Sequence, residues 1–541
     1  MITESTRFQT VTTSERVVKY RIPEDEDMTQ DGITSQVATS EIPGGPILAE
    51  PTADPCVLVI FGITGDLAKR KLIPALYNLM VGGSLPQRFA VVGVGRTEMS
   101  TAQLRERLGE QTGKFSPQPL DSAIWNKFAA NLEYVCGSFD DPATYAELRA
   151  RLSQVDATVG TAGNRIYYLS TPAATFPVIL ENLHANELLP RGHRHQTQPW
   201  AQVIIEKPFG RDLESARELN RLVRRYIAED QTYRIDHYLG KETVQNILVF
   251  RFGNSIFEPF WNRKYIDYVE ITAAETIGLQ GRGRFYDQTG VIRDVVQNHL
   301  LQVLALCAVE PPVSFTANDI RDQKVQVLKS LRPITSTEIA DQVVTGQYRG
   351  YRDEPGVAKD SRTPTYVAMK VLIDNWRWQG VPFYLRAGKN LGGRCTEVAI
   401  HFQPIPLSLF PQGNTCQILE RNILTLRIQP EEGISLRFVA KVPGEHLSVG
   451  NVSMNMNYSS AFGKPLSEAY ERLLLDCMRG DATLFERRDG VEQAWQFVTP
   501  MLEALEGDTT SPVNYYDPGT AGPAEADKLL ARDGRHWNPL S

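Results

Sequence analysis

Apolar residues in the first half of this chain fall in short continuous runs separated by helical spacing, whereas in the second half they alternate with polar ones. That change of period predicts two regions built on different sheets. CVLVIF, from Cys56 to Phe61, is apolar throughout and rich in β-branched residues, as a strand covered on both faces of a parallel sheet must be. Further strands are expected at Phe89 to Val94, Leu132 to Cys136, Arg165 to Ser170 and Gln202 to Ile205. Helical spacing runs through Leu72, Leu76 and Leu79, recurs within Thr101 to Leu152, and gives an amphipathic helix at Leu213 to Ala228.

A strand at Tyr268 to Ala273 leads towards a helix from Gly290 to Ala308 that is apolar almost all round and so is expected to be buried. From Thr365 onward, short alternating segments predict a large, mostly antiparallel sheet: Tyr366 to Ile373, Pro382 to Ala387, Glu397 to Phe402, Ile423 to Gln429 and Ile434 to Val442. Tyr470 to Arg479 and Val491 to Leu505 read as helices. The fold class expected is α/β plus α+β. Residues 55–235 form a Rossmann-like dinucleotide-binding domain, and residues 236–541 a substrate-binding and dimerisation domain with helices on one face of its sheet. Residues 1–54, rich in Thr, Ser, Glu, Asp, Pro and Gly, read as a flexible extension.

Composition narrows the function. A chain of 541 residues exceeds one comfortable core. A net charge of -7 and a pI near 5.8 argue against a nucleic-acid surface, so local basic clusters serve small anions. The six cysteines, Cys56, Cys136, Cys307, Cys395, Cys416 and Cys477, make no CxxC pair. Neither a zinc site nor a disulfide framework is expected, and a reduced, cytoplasmic setting follows. No apolar run reaches the roughly 18 residues of a membrane span, and no signal or transit segment is expected at the start.

Chemistry enters at strand ends. The first strand runs into Gly62-Ile63-Thr64-Gly65-Asp66-Leu67-Ala68-Lys69 and then a helix. That is the strand, glycine turn and helix that hold a pyrophosphate on backbone amides. The next strand ends at Gly95-Arg96-Thr97, where an NAD site would usually carry an acid; Arg96 instead predicts a 2′-phosphate, hence NADP. Another strand delivers Glu206-Lys207-Pro208, and Pro208 biases Lys207 towards an extended backbone that projects its amine into the crevice.

Arg234 to Glu242, RIDHYLGKE, packs five ionisable side chains into nine residues. Strict alternation would send Asp236 and Tyr238 to one face and His237 to the other, so the stretch is expected to turn as it leaves a strand. Lysine, histidine and tyrosine heads gathered there suit an anion, phosphate above all. In the buried helix, Asp294, Gln297, Asn298, His299 and Gln302 need partners. On an ideal α-helix Asp294 and His299 stand about 140° apart and could only line neighbouring walls of one pocket.

Taken in order, GITGDLAKRKLIPALYNL, EKPFG, RIDHYLGKE, GRGRFYDQTGVIRDVVQNHLLQ and PFYLRAGKNL resemble the glucose-6-phosphate dehydrogenase family across about residues 55 to 541. The resemblance implies oxidation of glucose 6-phosphate to 6-phosphoglucono-δ-lactone with NADP, the first oxidative step of the pentose phosphate pathway, without a metal. It implies His299 as general base and Asp236 as the carboxylate that orients it. Lys207, His237, Tyr238 and Lys241 become holders of the sugar phosphate, and Glu275, Asp294, Lys389 and Arg394 further substrate contacts. Gly62 to Lys69 and Arg96, with Lys207, become cofactor contacts.

A homodimer or homotetramer paired through the large sheet is also implied. Eukaryotic members carry a second, structural NADP held by basic residues; two of those positions are Cys395 and Ala399 here, although Arg421 matches another. Phe176 stands where other members carry a cofactor-side Tyr. A dehydrogenase of another sugar phosphate, or a catalytically silent NADP-sensing partner, is the alternative reading.

Overall fold

The computed structural model describes residues 53–540, apart from 193, 195–197, 411–419 and 464–466. All but the last two residues of the expected extension, and Cys416, therefore lie outside the described residues.

The first half is a parallel sheet of β1 (Cys56–Phe61), β2 (Phe89–Gly95), β3 (Leu132–Cys136), β4 (Arg165–Leu169), β5 (Ala201–Glu206) and β6 (Thr232–Ile235). Its order is β3-β2-β1-β4-β5-β6 and every pairing is parallel. Each residue of β1 and of β4 is buried, as their unbroken apolar runs require of central strands. In such a sheet the direction of winding reverses between β1 and β4, and the strand ends there open a crevice that helices cannot close.

The second sheet joins β7 (Ile266–Ala274), β8 (Val343–Tyr348), β9 (Tyr366–Leu372), β10 (Pro382–Gly388), β11 (Cys395–Phe402), β12 (Ile423–Gln429), β13 (Gly433–Lys441), β14 (Val449–Asn457) and β15 (Asn514–Tyr516). The order is β14-β13-β12-β11-β7-β10-β9-β8-β15, antiparallel except at β7–β10 and β8–β15. Sequence pattern located five of these strands from β9 to β13, and β7 before them, within a residue or two. It missed β8, β14 and the three-residue β15. In β14 the alternating residues are polar or exposed, so no buried face marks it as a strand. The helical run expected at Gly290 to Ala308 lies against β7 and β10 with its apolar side chains in the main core.

Candidate active site

Strand β6 ends at Ile235, and the chain turns at once because Asp236 bonds its own backbone. Asp236 Oδ1 accepts the Tyr238 N–H at 2.9 Å and its carbonyl accepts the Leu239 N–H at 3.0 Å. This Asx-type closure is what a short acidic side chain offers at a strand end. The Tyr238 carbonyl then takes the Lys241 N–H at 3.1 Å, and the helix Glu242–Phe252 begins. A Cβ on Gly240 would stand 2.6 Å from the Ala469 carbonyl oxygen, so the helix Ala469–Arg479 rests on bare backbone here.

The opposite wall is a helix with unusual winding. After a break at Gly290 (φ 66°), residues Ile292–Leu300 wind as a π-helix and continue into the α-helix Leu301–Ala308. In π winding the repeat is i to i+5, so residues five apart become near neighbours on one face. The separation of about 140° expected between Asp294 and His299 assumed α geometry and is corrected by this turn. Lys207, at the end of β5, touches both residues. Its Nζ donates to the Asp294 carbonyl at 2.9 Å and to Oδ1 at 3.2 Å, and lies 3.1 Å from His299 Nε2.

His299 and Asp236 meet across the crevice, with Nδ1 and Oδ1 2.5 Å apart and both side chains buried. That contact assigns the proton on Nδ1 to Asp236 and leaves the Nε2 lone pair facing the cavity beside Lys207. Tyr238 stacks on the imidazole at 4.1 Å, and His237 meets it edge-on at 4.6 Å. Burial lowers the His299 pKa, partly offset by Asp236, and Lys207 lowers it further. Burial alone would raise the Asp236 carboxyl, but the imidazoles of His299 and His237 and the Tyr238 N–H hold it below its ordinary value. His237 is driven well down by burial and by the neighbouring His299.

These groups open on a cavity of about 590 Å³. Of the residues predicted from sequence, Lys207, His237, Tyr238, Glu275, Asp294, His299, Lys389 and Arg394 line it. Lys389 Nζ bonds Glu275 Oε2 at 2.8 Å. Asp236 sits behind the imidazole, and Lys241 one contact back. The Lys241 ammonium bonds Gln429 Oε1 and lies 4.6 Å from the Tyr238 ring centroid. Burial brings the Lys241 ammonium down to about 8, with Glu432 opposing and Arg394 assisting.

Sequence reasoning assigned no role to Arg282, Phe285, Thr289, Arg293, Asn298 or Gln429, which also line the cavity. The Gly281 to Asp287 loop and the polar Asn298 within an apolar helix were visible signals for three of them: Arg282, Phe285 and Asn298, whose amide bonds the Arg293 carbonyl at 3.1 Å and the His299 N–H at 2.7 Å. Gln429, last residue of an otherwise ordinary strand, carried none.

At the first glycine turn, Gly62 has φ 83°, and a Cβ there would stand 2.4 Å from the Ser170 carbonyl oxygen at the end of β4. The turn closes with the Gly65 N–H on the Gly62 carbonyl at 2.8 Å, and Ala68 is fully buried against the sheet. The cradle thus lies at the β1–β4 crevice, where the amides of a helix's first turn have no partners within the helix. Its shape fits a dinucleotide pyrophosphate approaching on backbone. Arg96 is exposed at the end of β2. Ligand atoms of Asp236, His237 and His299 lie within 4.8 Å of one another, a spacing that a metal could use. The Asp236–His299 contact occupies one ligand atom of each, and the Lys207 ammonium stands at His299 Nε2.

The chain matches the description "Glucose-6-phosphate dehydrogenase, NAD binding domain" over residues 59–246 and "Glucose-6-phosphate dehydrogenase, C-terminal domain" over residues 248–538. It belongs to the glucose-6-phosphate dehydrogenase family. A glucose-6-phosphate 1-dehydrogenase of Chlamydia pneumoniae is 46% identical over 501 residues, 90% of this chain and 97% of that one. A crystal structure of glucose-6-phosphate 1-dehydrogenase from Mycobacterium avium superposes with a TM-score of 0.76 at 39% identity, covering 90% of this chain and 99% of that one. A glucose-6-phosphate dehydrogenase in complex with glucose 6-phosphate gives 0.81 at 35% identity, covering 91% and 100%.

A glucose-6-phosphate dehydrogenase uses a nicotinamide dinucleotide, and the cradle after β1 fits one. At the positions compared above with a second, structural NADP, Cys395 and Ala399 are buried in β11 and Arg421 is engaged by Asp267. Asp267 also binds Arg535 at 2.8 Å. Phe176 is a core residue, 1% exposed.

Proposed function

We propose that this chain oxidises D-glucose 6-phosphate to 6-phospho-D-glucono-1,5-lactone with NADP as hydride acceptor, opening the oxidative pentose phosphate route. The observation that carries the reading is the His299–Asp236 contact at the floor of a cavity walled by Lys207, His237, Tyr238, Lys389 and Arg394.

His299 Nε2 takes the proton of the anomeric hydroxyl while the C1–H bond breaks and the C1–O1 bond becomes a carbonyl. Asp236 holds the imidazole by Nδ1 and stabilises the imidazolium that forms. Bound on the Gly62 to Lys69 turn, the nicotinamide dinucleotide supplies the acceptor for that hydride. Arg96 supports NADP over NAD, because a guanidinium at the end of β2 matches a 2′-phosphate where an acid would match free hydroxyls. Lys207 donates to Asp294 and approaches Nε2, so it can hold the hydroxyl between base and acid and also flank the cofactor.

His237, Tyr238, Lys241 and Arg394 supply donors for the remote phosphate, with Glu275, Asp294 and Lys389 about the sugar. Phosphate binding at that end positions C1 for the chemistry at the other. A homodimer or homotetramer is supported by the edge strand β14, which exposes Val452 and Met454.

The test is a spectrophotometric assay of cofactor reduction with glucose 6-phosphate and glucose under both NADP and NAD. Turnover with the phosphorylated sugar and NADP, and a much weaker response to glucose, is expected. Faster turnover of a different sugar phosphate would transfer the assignment to it, and no reduction with any would leave a cofactor-sensing role.

A further inference from the structure

The π turn that brings Asp294 and His299 onto one face is a rare winding set inside an otherwise α-helical run, so something in the sequence has to hold it. Asn298 is placed to do so. Its side chain is buried, 5% exposed, and both ends of its amide are bonded within the helix. Nδ2 donates to the Arg293 carbonyl at 3.1 Å, and Oδ1 accepts the His299 N–H at 2.7 Å. One amide group therefore spans the turn, from the residue before Asp294 to the base itself.

The reach of that bridge is particular to this winding. An Asn that bonds back to the backbone of an α-helix finds the carbonyl three or four residues earlier, which here would be Val295 or Asp294. The carbonyl that Asn298 holds is five residues back.

Both ends of the bridge are also anchored from outside the helix. Arg293 Nε donates to the Arg211 carbonyl at 3.0 Å, and its Nη1 bonds Glu506 Oε1 at 2.5 Å. His299 is held through Nδ1 at Asp236. Between them the Asp294 carbonyl accepts the Lys207 ammonium at 2.9 Å. Entry into the turn is fixed by Gly290 at φ 66° and by the Val291 N–H on the Pro364 carbonyl at 3.0 Å. The exit, which carries the base, is fixed by the Asn298 amide.

We propose that Asn298 is a positioning residue for the reaction: its amide locks the π turn by joining the Arg293 carbonyl to the His299 N–H, and so holds the imidazole where Asp236 and Lys207 meet it. The inference rests on the dehydrogenase reading above. Released from the bridge, the turn relaxes towards α winding. Asp294 and His299 then separate towards the spacing of about 140° of an ideal α-helix, and the imidazole leaves its alignment with Asp236. A displacement of about 1 Å at the base is enough to cost about 10²-fold in rate.

In the full-length chain, Asn298→Leu removes both bonds at nearly the same side-chain size. It is expected to lower kcat by about 10²-fold and to leave KM for the cofactor within about twofold, because the glycine turn at Gly62 is untouched. The readout independent of turnover is the crystal structure of the unliganded variant. It is expected to show i to i+4 bonds through residues 292–300 and His299 Nδ1 beyond hydrogen-bonding distance of Asp236 Oδ1. Should the Leu variant fail to fold, Asn298→Ala removes the same two bonds without adding bulk and carries the same expectation. A variant that keeps the π turn and the His299–Asp236 contact overturns the proposal, and loss of activity in that variant would make Asn298 a substrate contact instead. Turnover within about threefold of wild type from a relaxed turn overturns it as well. If wild type is active on glucose 6-phosphate and the turn is unmoved in the variant, the bridge alone fails. If wild type is inactive and the turn relaxes, the bridge stands and the substrate reading fails.

Discussion

The two walls of the cleft come to line the same cavity by opposite means. One is a turn at a strand end, Asp236 to Lys241, held by hydrogen bonds between residues two or three apart. The other is a stretch of buried helix whose useful residues, Asp294 and His299, are five apart and converge because the helix is wound by i to i+5. In the proposed reaction the turn supplies mostly donors for the phosphate and the orienting acid, and the helix supplies the base and a carboxylate. Neither wall is an active site alone. The acid of the first has to meet the imidazole of the second, and it does so at 2.5 Å with both side chains out of water.

Breaking the helix wall has the largest expected effect. His299→Asn lowers kcat by about 10³-fold or more while leaving KM for the cofactor nearly unchanged, because the proton acceptor is lost and the dinucleotide cradle is not. Retention of a tenth of wild-type turnover would remove His299 from the base role. Asp236→Asn attacks the junction between the walls and should cost about 10² to 10³ in kcat, since an amide can offer His299 Nδ1 the wrong partner and favour the wrong tautomer. A kcat within about threefold of wild type would mean that the walls are not coupled through this contact.

The turn wall is probed by pH. His299 carries a depressed pKa, so the neutral base persists to lower pH than an ordinary imidazole and is lost only as pH falls through a midpoint below about 6.5. Lys241 is also depressed, to about 8, so its positive charge is present below that pH and lost as pH rises through it. The free-enzyme quantity kcat/KM should therefore be a bell whose basic limb lies near 8. Lys241→Gln is expected to raise KM for the sugar phosphate by about tenfold or more and to erase the basic limb while the acid limb stays. A basic limb that survives the substitution belongs to another group.

What the sequence disclosed follows the same division. The turn wall was legible because its chemistry is contiguous, and because a polar nonapeptide after an apolar strand has to leave the sheet. The glycine turn was legible for a similar reason: Gly62, at φ 83° with Ser170 against it, leaves no room for a side chain. The helix wall was legible in composition and not in geometry, since π winding has no period that a count of apolar positions reveals. Gln429 and Arg293 reach the cavity only through the packing of elements far apart in the chain. Strand β14 escaped because its side chains find no core to alternate against.

The smallest expected effect lies farthest from both walls. Arg96 stands exposed after β2, so in the proposed NADP site its guanidinium is partly screened by solvent and would contribute binding energy without touching the reacting carbon. Arg96→Ala should therefore raise KM for NADP by about tenfold, leave KM for NAD within about twofold, and change kcat little with either, because a uniform binding contact was removed. The comparison of the two cofactors carries the result: equal losses with NADP and NAD would mean that Arg96 supports the loop and not the 2′-phosphate. A selective loss would place cofactor choice on a strand end that takes no part in the chemistry, separate from the two walls that do.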